Sequence, residues 1–489
     1  MGTQASAWQL FWPKPEPNEP WATELNDWHD IADLERRCGV RSGAPILLDA
    51  AGNYDPTIGR FMASGAFSSL AEGTQHSYTL DYRLFFSFLA HRNKSWREAT
   101  PDDIDDYEHW RRRDEANPSP IGGSRWNRGI AAINRLYEWA VTRGELIRSP
   151  ILKHTITTHD RRTAEVPTAL AHDARSADVK WLTPRAYRKW RDIGLRGYNK
   201  EGLLREDYRG RCDARDASFT DFMKESGLRR RELGALFKIE LPEISAGVAF
   251  PHGYVPYAIA KRAQRYFWVS RRALSAAYAY CSTTRAQAVK QAQQTGKYQN
   301  LRNKIIATVS NDRRTIMYSS RGEPRRVPLD AVDARMRQSL FLETADGLEP
   351  LQLWLTETGL PMGYTSWNVV FRSANERCHD AGLDLWCTPK MLRHSFALQM
   401  LVSIQYAFIR RLGLDKAERD YITEIYGDAW SLVKDLLGHR SIETTKSIYL
   451  EPVSGLRLDA LFTGDVIEDV SDLIIRVAEH KELILDLTR

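Results

Sequence analysis

Residues 226–233 read SGLRRREL. A glycine, Gly227, stands second in the segment, and Glu232 follows Arg229 by three positions. On a helix that spacing puts a guanidinium and a carboxylate on one face. Alone, such a pair is an ordinary surface ion pair, so its meaning depends on what the rest of the chain offers beside it. Downstream, CTPKMLRHSF (387–396) starts a helix with Thr388 as cap and Pro389 in the first turn. Lys390 and Arg393 then fall on neighbouring positions of one face, and Leu392, Phe396 and Met400 form a core stripe. LLGHRSIETTKSIYL (436–450) ends a helix at Gly438, follows it with His439, and carries Tyr449, the last tyrosine of the chain. Between these, AIAKRAQRYFWV (258–269) places Lys261 at a strand end beside a tight turn. Each residue has a plain structural reading too: a hairpin lysine, a histidine favoured by a helix dipole, a tyrosine packed in a core.

Composition narrows the chemistry. The 489 residues suit two to four domains, and 43% hydrophobic with 27% charged is a globular balance. Lys and Arg total 69 against 63 Asp and Glu, a formal charge of +6, so the placement of the cations matters more than their sum. The five cysteines form no CxxC pair; Cys378, His379 and Cys387 lack a fourth ligand at a usual spacing, and reduced thiols are the preferred reading. No apolar run reaches a membrane span, and the N-terminus lacks the basic and apolar regions of a secretory signal. MGTQAS fits the loose myristoylation pattern only as chance would. No phosphate-cradling Walker loop, HExxH or dinucleotide fingerprint is present, so ATP, zinc-hydrolytic and NAD chemistry are not expected.

Periodicity predicts a mainly α chain with a small antiparallel β-sheet. Tyr78, Tyr82, Phe85 and Leu89 make one helical stripe; Thr100, Pro101, Asp102 and Asp103 start a second helix; Ile130, Ile133, Tyr137 and Val141 line a third. We therefore expect an N-terminal extension (1–65), a helical domain (66–150), a linker (151–180), a larger mixed domain (181–455) and a helical tail (456–489). Residues 235–241, 253–261 and 266–270 read as β-rich, with KRAQR closing a hairpin. The tail stripe Val466, Val470, Ile474 and Val477 fits packing on its own domain or on a neighbouring protomer. Arg111, Arg112, Arg125 and Arg128, beside Trp126 and Asn127, read on their own as a solvated face and equally suit a phosphate backbone; a basic stretch from 285 to 327, which begins with Arg285 and includes Arg313 and Arg314, reads as solvated helix and loop or as a nucleic-acid contact.

Taken together and in order, these segments resemble the tyrosine recombinase, or phage integrase, family over roughly residues 65–455. GLRRREL is similar to the first arginine box at Arg229. TPKMLRHSFA is similar to the second, with Lys390 in the His/Lys place and Arg393 as the second arginine. LLGHRSIETTKSIY is similar to the third, with His439 and the nucleophile Tyr449. Lys261 matches the β-hairpin lysine, with Lys238 and Arg262 as alternatives, and the helical region resembles the core-binding domain. Residues 271–345 and 401–431 read as insertions on this pattern.

The resemblance implies cutting and rejoining DNA without metal, ATP or any other cofactor. Arg229 and Arg393 would hold the non-bridging phosphate oxygens, Tyr449 would form a 3′-phosphotyrosyl link, and Lys261 would protonate the leaving oxygen. Lys390 and His439 would assist, and Glu232 would orient its neighbours. It also implies double-stranded DNA as partner, a homo-tetramer on two duplexes, accessory bending or directionality proteins, and a cytoplasmic setting. Two alternatives remain open: a type IB topoisomerase-like relaxer and a DNA-binding protein without catalysis.

Overall fold

The computed structural model describes residues 7–12, 43–157, 163–173, 180–261, 264–320, 322–406, 428–438, 442 and 484–485. The chain divides into two compact units, Met1–Ala177 and Asp178–Arg489.

In the first unit, β1 (Gln9–Phe11) pairs antiparallel with β2 (Ile46–Leu48). Five helices follow: α1 (Pro56–Ala63), α2 (Gly65–Ser68), α3 (Glu72–His91), α4 (Pro101–Arg112) and α5 (Gly123–Thr142). The cap expected for α4 forms as a reciprocal box. Thr100 Oγ1 accepts from the Asp103 amide, while Asp103 accepts from the Thr100 amide at 2.9 Å. Tyr82, Phe85 and Leu89 of α3 and Ile130, Ile133 and Tyr137 of α5 are buried together. The two buried phenols keep partners, Tyr82 donating to the Ala132 carbonyl at 2.9 Å and Tyr137 to that of Trp96 at 2.6 Å.

Two stretches differ from their sequence reading. Leu47, Ile58, Phe61 and Met62, from the expected N-terminal extension, belong to this same core. Within the expected linker, β3 (Lys153–Thr157) and β4 (Thr163–Pro167) form an antiparallel hairpin. Every residue of β3 is exposed, so no in-and-out alternation marked the strand. The chain then docks on α5. Trp126 Nε1 donates to the Ala169 carbonyl at 2.7 Å, and Asn127 exchanges hydrogen bonds with Ala171. Trp126, expected beside surface arginines, is a core residue.

The second unit begins with β5 (Trp181–Leu182), α6 (Pro184–Gly194), α7 (Asp213–Ser226) and the short α8 (Arg230–Gly234). A hairpin of β6 (His252–Val255) and β7 (Arg265–Trp268) follows, then α9 (Arg271–Tyr280), a π turn over Cys281–Arg285 and α10 (Ala286–Gln294). Next come β8 (Ile305–Val309), β9 (Thr315–Ser320), β10 (Glu323–Pro328), α11 (Ala334–Arg337), β11 (Leu340–Thr344) and β12 (Gly347–Pro350). The last described elements are α12 (Trp367–Asp380), α13 (Pro389–Tyr406), α14 (Ala429–Leu437) and β13 (Ile484–Leu485). Its main core gathers Trp190, Phe219, Leu233, Trp354, Trp367 and Leu392. The Phe219 and Trp367 rings stack with centroids 3.5 Å apart.

The sheet is larger than expected: five strands in the order β10-β9-β8-β11-β12, with β8 and β11 parallel. It occupies much of the basic stretch read as helix and loop. Arg285 is therefore no surface cation. It is 1% exposed, and its guanidinium donates to the carbonyls of Pro350, Gln352 and Leu353 and pairs with Glu349. Segment 235–241, read as β-rich, instead makes a 3-10 turn at Lys238–Glu240. Glu240 caps it and pairs bidentately with the buried Arg337 at 2.6 and 2.9 Å. The tail stripe at Val466–Val477 lies outside the described residues; β13 pairs in parallel with β5 of the same chain.

Candidate active site

Gly227 ends α7 in the left-handed region at φ 64°, and a Cβ there would stand 2.3 Å from the Phe396 ring. A glycine is required on both counts. It turns the chain so that Arg229 caps α8 rather than lying within it, which corrects the expectation that Arg229 and Glu232 share a helical face. The capping box brings them together instead. Glu232 accepts from the Arg229 amide at 2.8 Å through Oε2 and from its guanidinium at 2.8 Å through Oε1.

Glu232 is fully buried, and a third residue completes its surroundings. Arg265, the first residue of β7, donates Nη1 to Oε1 at 2.9 Å and Nη2 to Oε2 at 2.6 Å. Burial pushes the Glu232 carboxyl up, but the hydrogen bonds and charge of Arg265, with the charges of Arg393 and Arg229, hold it well below the usual range. One carboxylate thus faces three guanidiniums, and the cluster keeps a net positive charge.

Arg265 was not singled out from the sequence. It pairs across the hairpin with Val255, which is fully buried, so it stands on the inward face with Phe267. The alternation Arg-Tyr-Phe-Trp carries that signal, because an inward arginine in a hairpin demands a buried partner.

Arg393, on the first turns of α13, is buried. Its Nη1 donates to the Gly227 carbonyl and its Nη2 to that of Leu437, the last residue of α14. The expected cap holds, with Thr388 Oγ1 accepting from the Met391 amide at 3.3 Å. Gly438 then ends α14 at φ 62°, and a Cβ on it would meet Arg265 Cδ at 2.7 Å. The segment before His439 therefore packs on the arginine that holds Glu232. Arg229, Glu232, Arg265, Arg393 and the Gly438 corner converge on one place.

Lys261 lies in the hairpin loop, not at a strand end. β6 stops at Val255 because Pro256 has no amide to donate. Lys390 is exposed, and its ammonium is held below its ordinary range by desolvation and by the charge of Lys261. The two lysines thus make a second cationic pair. Of the alternatives, Lys238 pairs with Glu349 at 3.1 Å, and Arg262 lies outside the described residues, as do His439 and Tyr449.

Half of the arginines expected on a DNA face are engaged elsewhere. Arg111 is buried and donates to the Ser119 carbonyl at 3.3 Å. Arg112 pairs with Glu108 and Asp173, and Arg128 holds Asp81 bidentately at 2.9 and 3.0 Å. Arg125, Arg313 and Arg314 are exposed. Cys378 and Cys387 are buried, and burial pushes the Cys378 thiol up to about 12 and that of Cys387 well above its usual value. Neither thiol is poised to ionise.

The helical part of the first unit decides the comparison. Residues 68–144 match the phage integrase N-terminal SAM-like domain. The matched stretch takes in the whole of α3, α4 and α5. A comparison with curated protein sequences finds no match. Solved structures similar to the chain include XerH recombinase in a post-cleavage complex with palindromic difH, at 11% identity and a TM-score of 0.41, covering 81% of this chain and 79% of that one. A lambda integrase dimer bound to a COC′ core site aligns at 12% identity and a TM-score of 0.41, covering 84% and 97%. A Tn1549 transposon integrase with circular intermediate DNA aligns at 12% identity and a TM-score of 0.41, covering 80% and 93%. No helix among the described residues is long and apolar enough to cross a membrane.

Proposed function

We propose that the chain is a tyrosine-type site-specific DNA recombinase. The observation that carries this reading is the cluster of Arg229, Arg265 and Arg393 around the buried Glu232, beside the Gly438 corner, in a chain that also bears a phage-integrase SAM-like domain. A phosphodiester is anionic, and its transition state puts more charge on the non-bridging oxygens. Guanidiniums stay charged at any cellular pH and meet two such oxygens at once. One preorganised donor of this kind is worth about 3–4 kcal/mol of barrier.

In this mechanism Arg229 and Arg393 bind the scissile phosphate. The Tyr449 phenol oxygen attacks phosphorus, its proton passing to His439 or solvent, and the phosphorus–5′-oxygen bond breaks. Lys261 gives the departing 5′-oxygen a proton and leaves a free hydroxyl, while Lys390 steadies the phosphate. The 3′-phosphotyrosyl ester conserves the energy of the cut bond, so a 5′-hydroxyl of a second duplex reverses the step and regenerates the phenol. Exchange of both strand pairs calls for four protomers on two duplexes.

The test is a nicked suicide duplex carrying the cognate site, with covalent complex read on a denaturing gel. Wild type is expected to trap and Tyr449→Phe is not. Trapping without exchange between duplexes identifies a relaxer, and site binding without trapping identifies a binding protein.

A further inference from the structure

The β6–β7 hairpin has a second face. His252 stands opposite Trp268 and Tyr254 opposite Tyr266, and directly opposed residues share a side. With Val255 and Phe267 turned into the core, the four rings form a ladder on the outside. Ring centroids lie 6.4 Å apart for His252 and Trp268, 5.7 Å for His252 and Tyr266, and 5.6 Å for Tyr254 and Tyr266. Tyr266 is 57% exposed and Trp268 42%. A contiguous aromatic surface of this kind marks an interaction site.

What lies beside the ladder selects its occupant. The Tyr254–Tyr266 end opens into a groove of about 650 Å³ that also takes in Pro256, Arg313 and Arg314. The turn before β9 holds those arginines out. Asp312 accepts from Ser310 Oγ at 2.5 Å and from the Arg314 amide at 3.0 Å, and Arg313 adopts φ 56°, rare for an L side chain. The groove's other carboxylates are Glu240, held bidentately by the buried Arg337, and Asp330, which accepts from the Tyr257 amide at 3.3 Å, so all three acids are engaged locally. Arg313 reaches Glu243 only at 3.6 Å, and Arg314 has no ion-pair partner among the described residues. Flat exposed rings beside exposed guanidiniums suit a ligand with both π-faces and phosphates. Duplex DNA hides its base faces in the stack, whereas an unpaired strand presents them.

We propose that this outer hairpin face, with Arg313 and Arg314, is a platform for an unpaired stretch of DNA strand. The proposal rests on the reading of the protein as acting on DNA. On that reading Lys261, in the loop of the same hairpin, makes the bound bases those next to the cut.

The test uses the full chain and fluorescence anisotropy, with a labelled oligothymidine of about 12 nucleotides and a duplex of equal length. Tyr266→Ala and Trp268→Ala are each expected to weaken single-strand binding about tenfold while duplex affinity stays within about twofold. Tyr266→Phe, which keeps the ring, should bind as wild type does. Arg313→Gln with Arg314→Gln should lower the single-strand salt slope by about 1.4. The proposal is overturned if single-strand affinity is unmoved, or if single-strand and duplex binding fall together. A change in oligomeric state of the alanine variants without DNA also overturns it, assigning the ladder to protein contact. Wild type that binds duplex but no single strand sinks the platform alone; wild type that binds neither sinks the DNA reading as well.

Discussion

Arg265 and Glu232 meet as a bidentate ion pair in the interior of the second unit, 2.9 and 2.6 Å apart, and the same arginine's stem fills the space over Gly438. Without Arg265, the buried carboxylate would face Arg229 as its nearest cation and cancel the charge that a phosphate needs. Arg265 is thus a positioning residue for the proposed reaction.

Arg265→Gln should destabilise the protein by about 3–5 kcal/mol, because it breaks a buried bidentate ion pair and leaves Glu232 with Arg229 as its one hydrogen-bonded cation. It should also reduce covalent trapping at least tenfold. Adding Glu232→Gln to Arg265→Gln should recover part of both losses, since the stranded charge is then gone. Urea unfolding and suicide-substrate trapping measure the two effects; a double variant no better than the single one would show that Arg265 acts by packing alone.

The pH response has a defined sign. The Glu232 carboxyl is depressed in the folded state, so its contribution to stability is complete above the unfolded carboxylate range, about pH 4.3. It is lost only as pH falls through the lower folded value. In Arg265→Gln burial prevails, the folded value rises above the unfolded one, and the sign reverses: acidification protonates the buried carboxyl and favours the folded state. Between pH 7 and pH 4 the variant's deficit in thermal midpoint against wild type should shrink as the pH falls; a deficit that grows would show that burial does not raise the Glu232 carboxyl.

Gly438→Ala should be among the more damaging single-methyl changes, costing about 1–3 kcal/mol. It meets a left-handed backbone and the Arg265 stem at once. If its melting temperature matches wild type, the close packing of Arg265 on this corner is wrong.

Lys390 titrates below its ordinary range, partly through the charge of Lys261. Lys261→Gln should move the Lys390 ammonium back up. Carbon-13 methyl-labelled lysine resonances followed through an alkaline titration would read this directly, without any DNA. An unchanged Lys390 curve would separate the two lysines.

Much of this was legible in the sequence where a local rule acts alone. Thr100, Thr183 and Thr388 each precede a proline and each caps its helix, because cap and proline need nothing beyond a few residues. The stripe of Tyr82, Phe85 and Leu89 faces the core for the same reason. Long-range pairing was not legible. Arg285, Arg111 and Arg112 read as surface cations, and only the fold supplies the carbonyls and carboxylates that engage them. The five-stranded sheet went unseen because β10 is exposed along nearly all its length, leaving no alternation to read. Arg265 lay between those cases: the hairpin pattern marked it as inward, but nothing local named Glu232 as its partner.

Arg393 bonds one carbonyl 166 positions before it and another 44 positions after it. During synthesis its first anchor is already made when Arg393 emerges, while the second has yet to be translated. The cationic centre is therefore unfinished on any shortened or stalled polypeptide that stops ahead of Leu437, because the second acceptor of its most buried guanidinium has not yet been made.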